Sequence, residues 1–249
     1  MKPISVIIPC FDCENTILKD IKKILFKLKR LRLKFEIILV NDGSNDETLQ
    51  KLKISRKLNK KIKIISYAVN IGKSFAINKA IKKSKYNYIV LIDNNLPYFE
   101  VFEIIIRKLQ KNYDLVFVNR RDKKSLIKKR ILSLYQIFRF IIGYAISLII
   151  KYKLKFNIKG LDTQAGLKGF KKIKNFNKIK FISKIFFYDL ELMYIYYVNR
   201  KKFFSVPVKY EVPKKSSIKI FSLNKNIQIV TELVKVVRKL NKLKKNFFD

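Results

Sequence analysis

The stretch Phe35-Glu36-Ile37-Ile38-Leu39-Val40-Asn41-Asp42-Gly43-Ser44 decides the fold. An apolar run of strand length stops at a cluster of turn-forming residues, which is the pattern of a buried strand ending in a loop. Thr48 to Leu58 then reads as a helix. The same succession recurs on both sides. Upstream, Ser5-Val6-Ile7-Ile8 is a strand, and Ile17, Ile21, Ile24, Leu25 and Leu28 line one face of a helix over Ile17 to Leu28. Downstream, strands at Ile62 to Tyr67, Tyr88 to Ile92 and Leu115 to Val118 alternate with helices at Ser74 to Ser84 and Phe99 to Leu109. Such alternation predicts an α/β fold with a mostly parallel central sheet flanked by helices.

In a parallel sheet, ligands bind at the carboxyl ends of the strands. The polar residues of the first half fall at those ends: Pro9 to Glu14, Asp42, Asn70, Asp93 to Asn95, and Asn119-Arg120. The second half is less regular. Ile131 to Ile150 is nearly all apolar but contains Arg139 and is bounded by Lys128, Lys129, Arg130 and Lys151, which suits an interfacial helix over 131–151 better than a span. A single span would also separate Asp162 and Asp189 from Asp93. Ile158 to Phe170 is polar and contains glycine, Phe186 to Val198 is a helix carrying Asp189 and Glu191, and Phe203 to Val212 is a strand before a polar loop at Pro213 to Ser217. Ile227 to Leu243 is a basic amphipathic helix. The division expected is a main domain over 1–220 and a C-terminal helical segment over 221–249.

Lysine and arginine number 57 against 18 acidic residues, a net charge of +39. That excess favours anionic partners such as a membrane face. A codon bias toward Lys, Ile, Asn, Phe and Tyr explains it equally well. The lysines are spread along the chain without a nucleic-acid motif, so no specific nucleic-acid partner is expected. Two cysteines and no histidine exclude a disulfide framework and leave a zinc site without enough ligands. Cys10-Phe11-Asp12-Cys13 has the spacing of a redox pair, a reading that nothing downstream supports. The apolar run Ile4 to Ile8 is too short for a secretory signal, so the expected location is the cytoplasm. The sequence carries no signal of oligomeric state.

Three segments have chemistry in their residue types. Asp93-Asn94-Asn95, after an apolar strand, offers oxygen ligands of the kind Mg²⁺ or Mn²⁺ takes alongside phosphate and water, or caps the following turn. Asp42-Gly43-Ser44 offers an acceptor for a base or ribose beside a glycine that permits close approach, or forms a plain turn and helix cap. Asn70-Ile71-Gly72-Lys73 places a lysine at a helix N-terminus, a reasonable phosphate site without the glycine spacing of a P-loop.

The order of the segments is more specific than any one of them. Val6-Ile7-Ile8-Pro9-Cys10-Phe11-Asp12-Cys13-Glu14 resembles the V-I-P-x-Y-N-E-E opening of glycosyltransferase family 2. Leu39-Val40-Asn41-Asp42-Gly43-Ser44 is similar to its V-D-D-G-S, Asn70 to Lys73 to its N-x-G-K-G, and Asp93-Asn94-Asn95 to its D-x-D. Asn119-Arg120 matches the S/N-R of the polyprenyl-phosphate branch. Leu161 to Phe170 resembles the D-T-Q-C-G-F-K-x-F stretch of dolichyl-phosphate β-glucosyltransferases and their bacterial relatives. Phe187 to Leu192 resembles their F-D-V-E-L-L, and Pro207 to Ser217 their V-P-V…E-x-x-G-S-K.

The resemblance implies the GT-A nucleotide-diphospho-sugar transferase fold with amphipathic helices on a membrane surface. It implies an inverting enzyme that moves a sugar from a nucleotide-sugar donor, of the UDP-glucose kind, to a polyprenyl phosphate at the inner membrane face. Pro9, Asp12 and Asp42 would hold the nucleotide, with Lys73 at its phosphates. Asp93 and Asn95 would hold Mg²⁺ or Mn²⁺ and the diphosphate. Arg120 would meet a phosphate, and Asp162, Gln164, Asp189 and Glu191 would line the sugar and acceptor side, with Asp93, Asp162, Asp189 and Arg120 as the catalytic set. Asn95 stands where the family has its second aspartate, and an amide is a weaker ligand than a carboxylate. Two other readings remain open: a relative acting on a sugar hydroxyl in surface polysaccharide, with Asp162 or Asp189 as base, and a non-catalytic nucleotide-sugar binder.

Overall fold

The computed structural model describes residues 1–127, 143–144, 147–148, 150–156, 162–211 and 223–248, the last helix by backbone alone at 223–226 and 244–248. The chain forms β1 (Ile4–Cys10), α1 (Ile17–Arg30), β2 (Phe35–Asp42), α2 (Thr48–Leu58), β3 (Ile62–Tyr67), α3 (Lys73–Lys83), β4 (Tyr88–Ile92), α4 (Phe102–Gln110) and β5 (Leu115–Val118). A 3₁₀ turn over Phe99–Val101 leads into α4. After β6 (Leu126–Ile127) come β7 (Leu167–Lys171), α5 (Tyr188–Val198), β8 (Phe203–Val206), β9 (Lys209–Tyr210) and α6 (Leu223–Phe248).

Seven strands make one sheet in the order β3-β2-β1-β4-β7-β5-β8. The left half, β3 through β4, is parallel, as the alternation requires. The expected mostly parallel α/β architecture is therefore the one observed, with β7 antiparallel to both β4 and β5. No strand was expected at 167–171. Leu167, Gly169 and Phe170 are buried there, but Lys168 and Gly169 break the apolar signature of a central strand. The strand expected over Phe203 to Val212 is divided: β8 ends at Val206 before Pro207, and β9 crosses to a separate two-stranded sheet with β6.

The pleat sends alternate residues of each strand to opposite faces. Ile4, Val6 and Ile8, with Ile37 and Leu39, join the core under α1 and α4. Ile7, Ile38 and Val40 join the core under α3, α5 and α6. At roughly 25 cal/mol per Å², these two apolar layers dominate the stability of the molecule, and they fix the strand ends where the polar residues collect. In α6, Val236 and Leu240 face the core, whereas Ile227, Val230 and Val234 are exposed. Among the described residues no helix is long and apolar enough to cross a membrane. The interfacial helix expected over 131–151 and the loop at Pro213 to Ser217 lie largely outside the described residues.

Candidate active site

The loops after β1 and β2 are laced to each other. Asp12 sits in the left-handed region with φ 44°, and its Oδ1 accepts from the Asn45 amide at 2.9 Å, while its own amide donates to Ser44 Oγ at 3.1 Å. Gly43 has φ 63°, and a Cβ there would lie 2.4 Å from the Asn70 nitrogen, so this turn excludes any side chain. Asp42 is buried and inward: Oδ1 accepts from Ile71 N at 3.0 Å and Oδ2 from Gly72 N at 3.0 Å. Its carbonyl accepts from Asn70 Nδ2 at 3.0 Å. Asp42 thus sets the shape of the loop that presents Lys73. Pro9 lies buried within β1. Cys10 and Cys13 are free, buried thiols, and the Cys13 amide donates to Thr48 Oγ1 at 2.8 Å.

The turn after β4 is strained. Asn95, Leu96 and Tyr98 all have positive φ, at 66°, 46° and 62°. Left-handed backbone costs a non-glycine residue about 1–2 kcal/mol, so the surroundings must hold it. They do so through Asp20 of α1, a nearly buried carboxylate whose Oδ2 accepts from the Asn95 amide at 3.0 Å. Burial lifts the Asp20 carboxyl above its ordinary value, against the pull of that hydrogen bond. On the other side, Asp93 N donates to the Gly166 carbonyl at 2.8 Å. Gly166 leaves room for the Asp93 side chain: a Cβ there would lie 2.5 Å from Asp93 Oδ2. Lys73 Nζ meets both oxygens of that carboxylate, at 2.7 and 2.8 Å. Burial opposes the Lys73 charge, but Asp93 and Asp189 outweigh it and keep its pKa above the ordinary lysine value.

Two further ion pairs complete the cluster. Arg120 grips Asp162 with Nε at 2.6 Å and Nη2 at 2.8 Å, and its backbone amide adds a third bond at 3.1 Å. Asp162 is buried, which works against its charge, yet Arg120 prevails and holds its carboxyl below the ordinary value. Arg120 is correspondingly pushed up, burial notwithstanding. Lys168 of β7, 2% exposed, places Nζ 2.5 Å from Asp189 Oδ1 and 3.2 Å from the Thr163 carbonyl. Burial draws the Lys168 ammonium below its usual pKa despite Asp189 beside it. Three cations and three carboxylates therefore alternate at one end of the sheet, with Lys73 within electrostatic reach of Asp189 and Arg120. Gln164 lies in the same segment, its amide bonded to Asp162 Oδ1 at 3.3 Å.

Glu191 is not part of this cluster. It is fully buried and spent on structure: Oε1 accepts from Ile182 N at 3.0 Å and Ser183 N at 2.7 Å, and Oε2 from Lys239 Nζ of α6 at 2.7 Å. Glu232 of α6 likewise accepts from the amides of Lys184, Ile185 and Phe186, at 2.6, 2.9 and 3.0 Å. The segment so held feeds carbonyls to the start of α3: Ser74 N donates to Ile185 O at 3.4 Å and Phe75 N to Lys184 O at 2.9 Å. The phosphate site expected at that helix N-terminus is corrected accordingly, because protein carbonyls already satisfy these amides. What the segment offers an anion is the Lys73 side chain.

Asp93, Lys73, Asp162, Asp189 and Arg120 are thus brought together. Asp12 and Asp42 lie along the neighbouring loops, and Glu191 is turned to the 182–183 segment and α6. Sequence reasoning missed Lys168, Gly166 and Asp20; a lysine between Leu167 and Gly169 was the one visible signal. For a divalent cation, the Asp93 carboxylate and the exposed Asn95 amide supply oxygen donors of the hard type. No group of three Asp, Glu, Cys or His side chains stands ready to enclose a metal among the described residues. The donor set therefore fits an ion whose shell is completed by phosphate and water, as Mg²⁺ and Mn²⁺ prefer.

The model of the family described as glycosyl transferase family 2 matches residues 5–165. The chain belongs to glycosyl transferase family 2. The resemblance drawn from the motifs is thereby borne out. An uncharacterized glycosyltransferase of Synechocystis is 32% identical over 125 residues, 49% of this chain and 39% of that protein. Dolichyl-phosphate beta-glucosyltransferase of Dictyostelium discoideum is 28% identical over 180 residues, 68% of this chain and 54% of that protein. The match thus spans well under two thirds of either relative. Among solved structures, Mycobacterium tuberculosis glucosyl-3-phosphoglycerate synthase superposes with a TM-score of 0.65 at 18% identity, covering 95% of this chain and 81% of its own. A further structure of that synthase holds Mn²⁺, UDP-glucose and phosphoglyceric acid.

Proposed function

We propose that this family 2 glycosyltransferase transfers a sugar, with inversion, from a nucleotide sugar of the UDP-glucose kind to a polyprenyl phosphate at the cytoplasmic face of a membrane. The observation that carries the acceptor half is the pairing of both acceptor-side carboxylates. Asp162 is gripped by Arg120 and Asp189 by Lys168, and the two carboxylates are only 2% and 5% exposed. A carboxylate so buried and paired is a poor general base, because taking a proton would break its ion pair and leave the cation beside it without a partner. The chain also has no histidine. Such a site suits an acceptor that arrives already ionised, and a phosphate monoester with a second pKa of about 6 does so near neutrality.

The remaining residues then have defined tasks. Asp12 and Asp42 shape the loops along the nucleotide, beside Pro9. Lys73 binds the diphosphate, and Asp93 and Asn95 hold the cation. Bound there, Mg²⁺ or Mn²⁺ would neutralise charge on the departing diphosphate. Arg120, with a side chain 27% exposed, meets the acceptor phosphate, while the buried Lys168 fixes Asp189, so rate enhancement comes from positioning and charge stabilisation. Gln164 stands by the sugar, and Glu191 ties α5 to the 182–183 segment and to α6. The UDP-glucose and Mn²⁺ of the mycobacterial neighbour support the donor half, and the Dictyostelium relative supports the acceptor half. The exposed apolar residues of α6 and the net charge of +39 support a membrane surface.

The test is transfer of radiolabelled sugar from a panel of UDP- and GDP-sugars to polyprenyl phosphate in detergent, with Mn²⁺ or Mg²⁺ and with EDTA. Metal-dependent formation of a lipid-linked sugar is expected. Donor hydrolysis without lipid product would overturn the acceptor, and absence of both would leave a nucleotide-sugar binder.

A further inference from the structure

We infer that Lys73 is a built-in competitor for the cation position at Asp93, displaced from it when the diphosphate of a donor arrives. Lys73 Nζ sits between the two carboxylate oxygens, 2.7 Å from Oδ1 and 2.8 Å from Oδ2. A divalent ion held by Asp93 would need the same two oxygens. The ammonium therefore satisfies the carboxylate before any metal does. The inference rests on the reading of this site as the one for cation and diphosphate.

Three features favour exchange over a fixed ion pair. The backbone of Lys73 is immobilised: Gly72 N is held by Asp42, and Ser74 Oγ accepts from Tyr188 N at 3.1 Å. Yet the Lys73 side chain is 31% exposed, and a lysine stem with four methylenes moves its charge by rotamer changes alone. Asn95 supplies an amide where a second carboxylate would strengthen the pull on a dication, so ammonium and metal compete on more equal terms. A diphosphate alters both sides of the contest at once. It gives Lys73 new anionic oxygens a short distance away, and it gives the cation the oxygen ligands that the protein withholds. Cation and nucleotide then bind with positive coupling, which linkage makes reciprocal. A free enzyme of this kind would hold metal weakly and acquire it with its donor.

The experiment measures Mn²⁺ binding to the full chain by electron paramagnetic resonance, alone and with UDP. Wild type, Lys73→Met, Lys73→Arg and Asp93→Asn are compared, each checked for folding by circular dichroism. Wild type is expected to bind Mn²⁺ weakly alone and at least about tenfold more tightly with UDP. Lys73→Met should bind Mn²⁺ alone about tenfold more tightly than wild type, the equivalent of one charge-assisted contact removed from competition, and gain less from UDP. Lys73→Arg, which keeps the charge, should remain weak. If Asp93→Asn abolishes Mn²⁺ binding while Lys73→Met leaves it unchanged or weaker, the competition is refuted and the donor site stands. If no protein binds Mn²⁺ with or without UDP, the competition and the donor-site reading fall together.

Discussion

Gly166→Ala tests whether Asp93 must stand where the structure places it. The added methyl carbon would lie 2.5 Å from Asp93 Oδ2, 2.9 Å from Cγ and 3.0 Å from a Pro97 ring carbon. Ordinary contact needs about 3.5 Å, so the carboxylate must retreat by roughly 1 Å. Gly166 does not have positive φ, so alanine meets no backbone penalty there. The atoms in the way are mostly the end of a side chain that is 32% exposed and free to yield. Overpacking of that kind costs about 1 kcal/mol, or about 2–4 °C in Tm for a chain of this size. The chemistry is less forgiving: a 1 Å misplacement of a reacting group costs about a hundredfold in rate. Turnover should thus fall by about two orders of magnitude while the melting temperature drops by only about 2–4 °C, read by radiolabelled sugar transfer and by calorimetry. Turnover within about threefold of wild type would refute the assignment of Asp93 to the reaction centre.

Other perturbations separate structural from chemical roles. Lys168→Met leaves Asp189 buried without its partner and should cost about 3–5 kcal/mol by urea denaturation, whereas Lys168→Met with Asp189→Leu should recover most of the stability and none of the activity. The Asp162 carboxyl is held below its ordinary value by Arg120. Its stabilisation is therefore complete above about pH 4, the unfolded-state value, and is lost as pH falls through the lower folded-state value. Asp162→Asn should accordingly show a flatter decline of stability in the acid limb, and an unchanged slope would contradict the pairing. Glu191→Gln should lower Tm through its lost ion pair with Lys239 and alter kcat less than Asp189→Asn; the reverse order would move Glu191 into the reaction centre.

The sheet was legible where each residue's local preference agreed with its place in the fold. Strands such as Tyr88–Ile92 and Leu115–Val118 are short apolar runs closed by turn residues, and both are buried along their whole length. The strand β7 was not legible because Lys168 within it is neutralised by Asp189, which lies 21 residues further along the chain on α5. Nothing local reveals that partner. Glu191 is a different case. Two residues apart on a helix point to nearly opposite sides, so Asp189 and Glu191 could not both face one ligand, and helical geometry alone would have divided them. Asp20 was hidden by its setting: on a helix of lysines it reads as surface charge, and only the fold brings the strained Asn95 amide onto it. The aspartates and Arg120 at the strand ends were legible as a set, whereas their pairing with one another required coordinates.

The most direct measurement compares two acceptors that differ only in charge: a polyprenyl phosphate and the corresponding polyprenol, each with UDP-glucose and Mn²⁺ at pH 7.5. On the proposed reaction, a site with Asp93, Asp162 and Asp189 each held in an ion pair transfers sugar to the phosphate and leaves the alcohol untouched. Comparable transfer to the alcohol would show that Asp162 or Asp189 works as a base despite its ion pair, and would contradict the proposed reaction.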